Sequence, residues 1–323
     1  MDPILRRSEL NTTTATHYDW LVAAPSDEVM MKAWIIWSTI STVVSLSCII
    51  LIASILASSR TRSKTFNIYI VFLTLPDGLF STMCAVTCFQ NISAGKYHST
   101  FGCQFQSWYS SFGWSANMWM NVLIAHELFG LLNNISLGRR LKQRSNRQLF
   151  FLIFCVYTYA AFVSSWTLID AFPHRALLLG GIACLPAEYD FNSTLFFWFG
   201  YIPAILGIPL VYIVTIITIV VRRHLLPSHG NSRYLAIFFV RLLIVFIVMW
   251  VPSIILIYCD FGQSIGVRIW GGAWSHLQGL ISVILCFTKP DIKAHLARVF
   301  CLSNEVDGET VVGTTEAVVR TKT

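Results

Sequence analysis

The chain has 323 residues, of which 55% are apolar and only 12% charged, and its mean hydropathy is +0.63. A water-soluble domain of this length needs more charge to cover its surface, so the composition points to an integral membrane protein. The formal charge of +7 reads as a topology signal once the spans are placed, and nucleic-acid binding is not expected.

Residues 1 to 32 are polar and mixed in charge, as expected of a short extracellular tail. No apolar stretch precedes residue 33, so the first span is expected to act as the targeting signal. Seven segments are long and apolar enough to span, at about 33–57, 66–88, 103–132, 149–172, 195–221, 234–258 and 268–289. They predict an all-α membrane protein, a seven-transmembrane helix bundle over 33–289, with a short amphipathic eighth helix over 290–302 and a disordered cytosolic tail over 303–323.

In the first span Ser38, Ser41 and Ser45 recur at helical spacing and suit close packing. The second carries Pro76-Asp77 in mid-membrane, where a carboxylate must face the bundle interior and the proline frees a carbonyl. The third, Cys103 to Leu132, would be about 45 Å long and is expected to be tilted and central. Its first half is aromatic and its second aliphatic. The five basic residues between 139 and 147 suit anionic headgroups or an acidic partner. Trp166 and Asp170 fit the outer interface, and Pro203 and Pro209 in the fifth span mark a bend beside a cavity. In the sixth, Trp250 stands before a Pro252 kink that would let the cytosolic half swing. The seventh holds Trp270, Trp274, His276 and Gln278. Ile292, Leu296, Val299 and Phe300 then form the apolar face of the eighth helix, and Cys301 is a weak palmitoylation candidate.

Sixteen lysines and arginines fall after the odd-numbered spans against six on the opposite side, which places the N-terminus outside and the C-terminus in the cytosol. Glycosylation sequons at Asn11, Asn91 and Asn192 fall on the expected outside. Cys103 and Cys184 also fall there, and in an oxidising compartment they read as a disulfide pinning the second outer loop over the bundle mouth.

Together these features resemble a seven-helix G-protein-coupled receptor over residues 33 to 302. The resemblance rests on Leu73-x-x-x-Asp77, the Cys103 and Cys184 pair, Glu127, Trp250-Val251-Pro252 and the proline closing the seventh span. Glu127-Leu128-Phe129 replaces the acidic-Arg-Tyr triplet of rhodopsin-like receptors, and Lys289-Pro290-Asp291 is more like the cyclic-AMP-receptor-like branch. Lys289 stands where the family has asparagine, which suggests an Asp77 to Lys289 ion pair with Asn117 beside it. Glu127 and Arg233 suggest a cytosolic lock of reversed polarity. The resemblance implies a plasma-membrane receptor with an extracellular small-molecule or peptide ligand. It also implies a heterotrimeric G protein or other cytosolic transducer, and no cofactor.

The expected ligand pocket is the outer third of the bundle, lined from the third and fifth spans by Trp108, Tyr109, Phe112, Trp114 and Tyr201. The seventh adds Trp270, Trp274, His276 and Gln278. Ser110 stands where amine receptors place an aspartate, so a neutral or amphipathic ligand fits better than a biogenic amine. A light-sensing rhodopsin needs a lysine in mid-seventh span for its Schiff base, and Lys289 is at the cytosolic end. The ionisable groups do not converge as an intramembrane metal hydrolase requires. A small-solute or proton-coupled transporter is the remaining alternative, although the halves show no internal repeat.

Overall fold

A computed structural model describes residues 25–97, 100–138, 145–168, 176–179, 183–186, 195–226, 231–258 and 265–299. Asn11, Asn192, Asp170, Cys301, the basic residues 139 to 144 and the C-terminal tail lie outside the described residues. The chain forms α1 (Asp27–Ala57), α2 (Thr65–Ala94), α3 (Thr100–Ser136) and α4 (Asn146–Leu168). A two-stranded antiparallel hairpin follows, β1 (Ala176–Leu179) and β2 (Ala183–Pro186), with Leu178 opposite Cys184. Then come α5 (Phe196–Arg222), α6 (Asn231–Tyr258), α7 (Ile265–Phe287) and the short α8 (Pro290–Val299). The hairpin was not foreseen; it lies against α3.

α1 begins inside the segment expected to be a tail. Asp27 and Glu28 occupy its first turn, where the helix dipole favours carboxylates, and Glu28 pairs with Lys32 one turn on at 2.6 Å. Along the outer faces of the bundle Leu46, Phe154, Phe162, Phe199, Val211 and Val248 are exposed. In water such side chains would be a liability, whereas against lipid they need no cover.

Among the described residues six helices are long and apolar enough to cross a membrane, and α3, the longest, falls short in apolarity alone. The reason is its position. α3 packs against α2, α4, α5, α6 and both strands, so much of its surface faces protein. Gln106, Ser107, Ser110, Ser111, Ser115, Asn117 and Asn121 are all buried along it. The helix expected from the sequence to be central therefore spends its polarity on neighbouring helices.

Proline leaves a backbone carbonyl without its helical donor, and each freed carbonyl inside a bilayer must be satisfied by protein. Pro76 frees the carbonyl of Phe72, and the hydroxyl of Tyr157 on α4 donates to it at 2.6 Å. In α5 the two prolines act together. The first turns are π-helical, with the Ile208 N–H reaching the carbonyl of Pro203. Pro209 has no N–H to give the next carbonyl, that of Ala204. Two side chains supply it: the Trp119 indole N–H of α3 at 3.2 Å and the Tyr159 hydroxyl of α4 at 3.3 Å.

α7 approaches its neighbours as closely as glycine permits. A Cβ on Gly272 would stand 2.7 Å from the Trp37 ring, and one on Gly279 would stand 2.9 Å from Val44 and 3.2 Å from Asp77.

The two carbonyl caps differ in redundancy, and stability should follow. Tyr157→Phe leaves the Phe72 carbonyl unsatisfied and is expected to cost about 1–3 kcal/mol. Tyr159→Phe leaves Trp119 still donating and should cost a fraction of that. Thermal unfolding of the purified protein in micelles would check the order of the two variants.

Candidate functional site

One end of the bundle, the one expected to be extracellular, is built on a bond between α3 and the hairpin. Cys103 and Cys184 form a disulfide with a Cα separation of 5.0 Å, as the sequence suggested. Gln106, one turn further along α3, accepts from the backbone N–H of Cys184 at 2.8 Å and from the Tyr97 hydroxyl at 2.9 Å. A buried glutamine so tied fixes both the hairpin and the α2–α3 connection onto α3. Its signal in the sequence was an amide three residues after the cysteine, on the same helical face.

The expected ligand-lining residues divide between two flanks of α3. Tyr109, Trp114, Tyr201 and His276 are each buried, in separate contacts around α3. Tyr109 lies against Phe80, whose ring stacks on His276 at 4.5 Å, and the His276 Nδ1 is 3.2 Å from the Ser81 hydroxyl. Tyr201 shares a short hydroxyl contact with Ser111 and meets the Trp166 ring edge-on at 5.2 Å. Trp114 meets Trp250 of α6 edge-on at 5.6 Å. Phe80, Ser111 and Trp166 were not foreseen as part of these contacts.

Trp108 and Phe112 belong to the other flank. They stack at 5.4 Å, and Phe112 packs on Tyr157 of α4. Trp270 is 55% exposed, at the outer end of α7, and corrects the expectation that it lines the pocket. It fits the interfacial aromatic belt instead. Trp274 is half-buried beside it at 6.0 Å, with its indole N–H buried and unpartnered among the described residues. The hydroxyls of Ser107 and Ser115 on α3 are likewise buried without a partner among the described residues. An open groove of about 540 Å³ lies elsewhere, on the flank of α2 beside Val86, Phe89 and Gln90.

Gln278 sits one level deeper than expected, in the polar centre. Asp77 is buried and accepts from Asn117 Nδ2 at 2.8 Å. With its amide nitrogen turned to the carboxylate, Gln278 donates to Asp77 Oδ1 at 2.9 Å and accepts from the Ser282 hydroxyl at 3.2 Å. Asn121 donates to Asn117 Oδ1 at 3.0 Å. One carboxylate thus joins α2, α3 and α7, and Asn117 is beside Asp77 as expected.

The suggested ion pair between Asp77 and Lys289 is not formed. The Lys289 ammonium instead contacts Asn67 Oδ1 and lies 3.3 Å from Asp291. Asn67 and Asp77 are ten residues apart on α2, about 15 Å along the axis. A lysine held at one cannot reach the other. Asp291 also pairs with Lys64 at 3.0 Å and accepts from Asn67 Nδ2 at 3.1 Å, which docks the first turn of α8 onto α2. Burial lowers the Lys289 pKa from its ordinary value, opposed by the adjacent Asp291 charge. For Asp291, burial alone would raise it, but Lys289, Asn67 and Lys64 outweigh burial and hold it at about 2.

At the end of α3 away from the hairpin Glu127 is half-buried, and Arg233 is exposed at the start of α6. One contact that crosses between helices there is His126 Nδ1 to the Tyr212 hydroxyl of α5, at 2.7 Å. Trp250 is fully buried two residues before Pro252, and Ser253 donates to the Gly271 carbonyl of α7 at 2.9 Å. Pro290 opens α8. Asn91, expected to carry a glycan, is 1% exposed. α2 runs on to Ala94 and puts Asn91 on the same inward face as Cys84 and Cys88, so its amide is closed to an oligosaccharide.

Neither a protein-family model nor a curated protein matches the chain. Among solved structures it is similar to squid rhodopsin, with a TM-score of 0.66 and 14% identity, over 90% of this chain and 91% of that one. At that identity the likeness is one of fold: a seven-helix bundle arranged like that of squid rhodopsin.

The Asp291 cluster carries a pH dependence. Its carboxyl is depressed in the folded chain, so its stabilising contribution is complete above the unfolded value near 4 and is lost as pH falls towards about 2. α8 should stay docked at pH 5 and loosen between about 4 and 2, whereas Asp291→Asn should loosen it at every pH. Spin-label distances between α8 and α2 in nanodiscs would register both.

Proposed function

We propose that the chain is a cell-surface receptor that senses an extracellular, neutral or amphipathic small molecule and signals by movement of α6 to a cytosolic transducer. The observation that carries the reading is the Trp114–Trp250 contact, which joins the aromatic interior of α3 to the kink of α6 at Pro252. A ligand that spreads the packed rings would press on Trp250 and bias a pre-existing equilibrium of the α6 arm. The unpartnered hydroxyls of Ser107 and Ser115 are the polar groups such a ligand would engage.

The N-terminus is outside and the C-terminus cytosolic in this reading, supported by the excess of lysine and arginine after the odd-numbered spans. The Lys289-Pro290-Asp291 ending favours the cyclic-AMP-receptor-like branch. α7 contains no lysine, so a photopigment with a Schiff base there does not fit. Glu127 and Arg233 remain candidates for a reversed cytosolic lock, tested by exchanging the two charges. Leu128 in place of arginine makes the transducer the open element, with a heterotrimeric G protein as the first candidate.

Guanine-nucleotide exchange on a panel of G-protein α subunits tests the coupling, with Leu128→Arg alongside. Exchange by the unaltered chain supports coupling without the arginine; exchange by Leu128→Arg alone moves the native output to another transducer. Silence from both, together with solute uptake into vesicles, overturns the reading. Trp250→Ala is expected to change signalling at least tenfold while the folded yield stays near that of the unaltered chain.

A further inference from the structure

The corner where α1, α2 and α8 meet carries charge that the receptor mechanism does not use. Between α1 and α2 the chain makes a single helical turn, Ser59–Arg62. Thr61 fixes its rotation: it is buried, its hydroxyl donates to the carbonyls of Ile55 at 2.8 Å and Ser58 at 3.0 Å, and its own carbonyl accepts from Asn67 at 2.8 Å. With Thr61 turned inward, Arg60 and Arg62 are both exposed. α8 packs on this turn and on α1, with Ile292 buried and Lys293 exposed. Lys64, half-exposed, stands between them.

Asp291 is the one carboxylate in residues 57–67 and 287–299, and it is already shared by Lys64, Lys289 and Asn67. Arg60, Arg62 and Lys293 have no partner carboxylate among the described residues. Three unpaired cations and a fourth half-engaged one are thus held at one corner by a buried threonine, a buried asparagine and an ion pair. α1 packs chiefly on α2 and α7, which makes this corner peripheral to the bundle, at the level where α8 lies along the membrane. Cations placed there face lipid headgroups, at a distance from α6, which packs on α7, α3 and α5.

We infer that the α1–α2 turn and α8 form a binding site for a polyphosphorylated inositol lipid headgroup, with Arg60, Arg62, Lys64 and Lys293 as its phosphate ligands. Arginine forks match phosphate oxygens, and several phosphate charges on one headgroup are what this number of cations needs for neutrality. The inference rests on reading this end of the bundle as cytosolic. Binding in nanodiscs, where both faces are accessible, is independent of that orientation, and an N-terminal tag stained on intact cells tests orientation by itself.

The test uses the full chain in phosphatidylcholine nanodiscs, with native mass spectrometry counting retained lipid. Phosphatidylinositol bisphosphate is compared with phosphatidylserine at equal total charge, and with free inositol trisphosphate. One bisphosphorylated lipid per chain is expected, retained in preference to phosphatidylserine. At about 1 kcal/mol, or about fivefold, per cation near the surface, Arg60→Gln with Arg62→Gln should weaken it about twenty-fivefold and Lys293→Gln about fivefold. The unfolding temperature should not move, because these side chains are exposed. Arg222→Gln with Arg223→Gln, at the end of α5, should leave binding unchanged. Equal retention of phosphatidylserine, binding of the free headgroup as tightly as the lipid, or an equal loss in the α5 variant would overturn the inference. So would displacement of the lipid by a soluble acidic peptide that depends on the same arginines.

Discussion

A bilayer core offers no hydrogen-bond partner, so every polar group that this chain brings inside must be met by another part of the chain. That constraint accounts for features that look unrelated in the sequence. Pro76 and Pro209 each leave a carbonyl open, and Tyr157, Tyr159 and Trp119 stand where those carbonyls are. Asp77 brings a carboxylate, and Asn117 and Gln278 turn their amides to it. α3 is too polar to pass as a span by composition because it supplies many of these partners. Its polarity follows from its central place.

The same rule separates the two buried charge clusters. An intramembrane aspartate and a nearby lysine invite pairing, and on charge alone an ion pair is the simplest solution. Distance along α2 decides otherwise. Asp77 is satisfied by neutral amides at mid-span, and Lys289 by Asp291 and Asn67 at the membrane edge. Each site is complete without the other. One holds α2, α3 and α7 together, and the other docks α8.

How much of this was legible depended on the kind of signal. Hydropathy and charge bias carry the number and order of spans, because lipid acts on whole segments. The Cys103–Cys184 bond and the Asn117–Asp77 contact were also visible, since few side chains could meet those needs. Which flank of α3 a ring occupies was not. Trp108 and Tyr109 are adjacent in sequence, yet one stacks on Phe112 and the other lies against Phe80, and a helical step of about 100° separates them. Asn91 was misread because α2 is longer than its hydropathy suggests, and only the helix phase shows that its amide turns inward. The carbonyl caps escaped notice because the need lies on one helix and the donor on another, far away in sequence.

The bonds also rank the helices by freedom to move. α2, α3 and α7 share hydrogen bonds to a charged group, each worth about 1.5–3 kcal/mol. α6 meets α3 through the edge-to-face contact of Trp250 with Trp114, worth about 0.5–1.5 kcal/mol beyond its burial. Its link to α7 through Ser253 lies on the outer side of Trp250, just past the Pro252 kink. The half of α6 before Pro252 contributes apolar side chains to the core, from Ala236 and Phe239 to Phe246. Apolar packing has no preferred direction and can be exchanged for lipid or for a partner surface at little cost, whereas a bond to a buried carboxylate cannot. A bundle in which one carboxylate joins α2, α3 and α7, with α6 outside that set of bonds, has the uneven hold on its helices that the proposed movement of α6 requires.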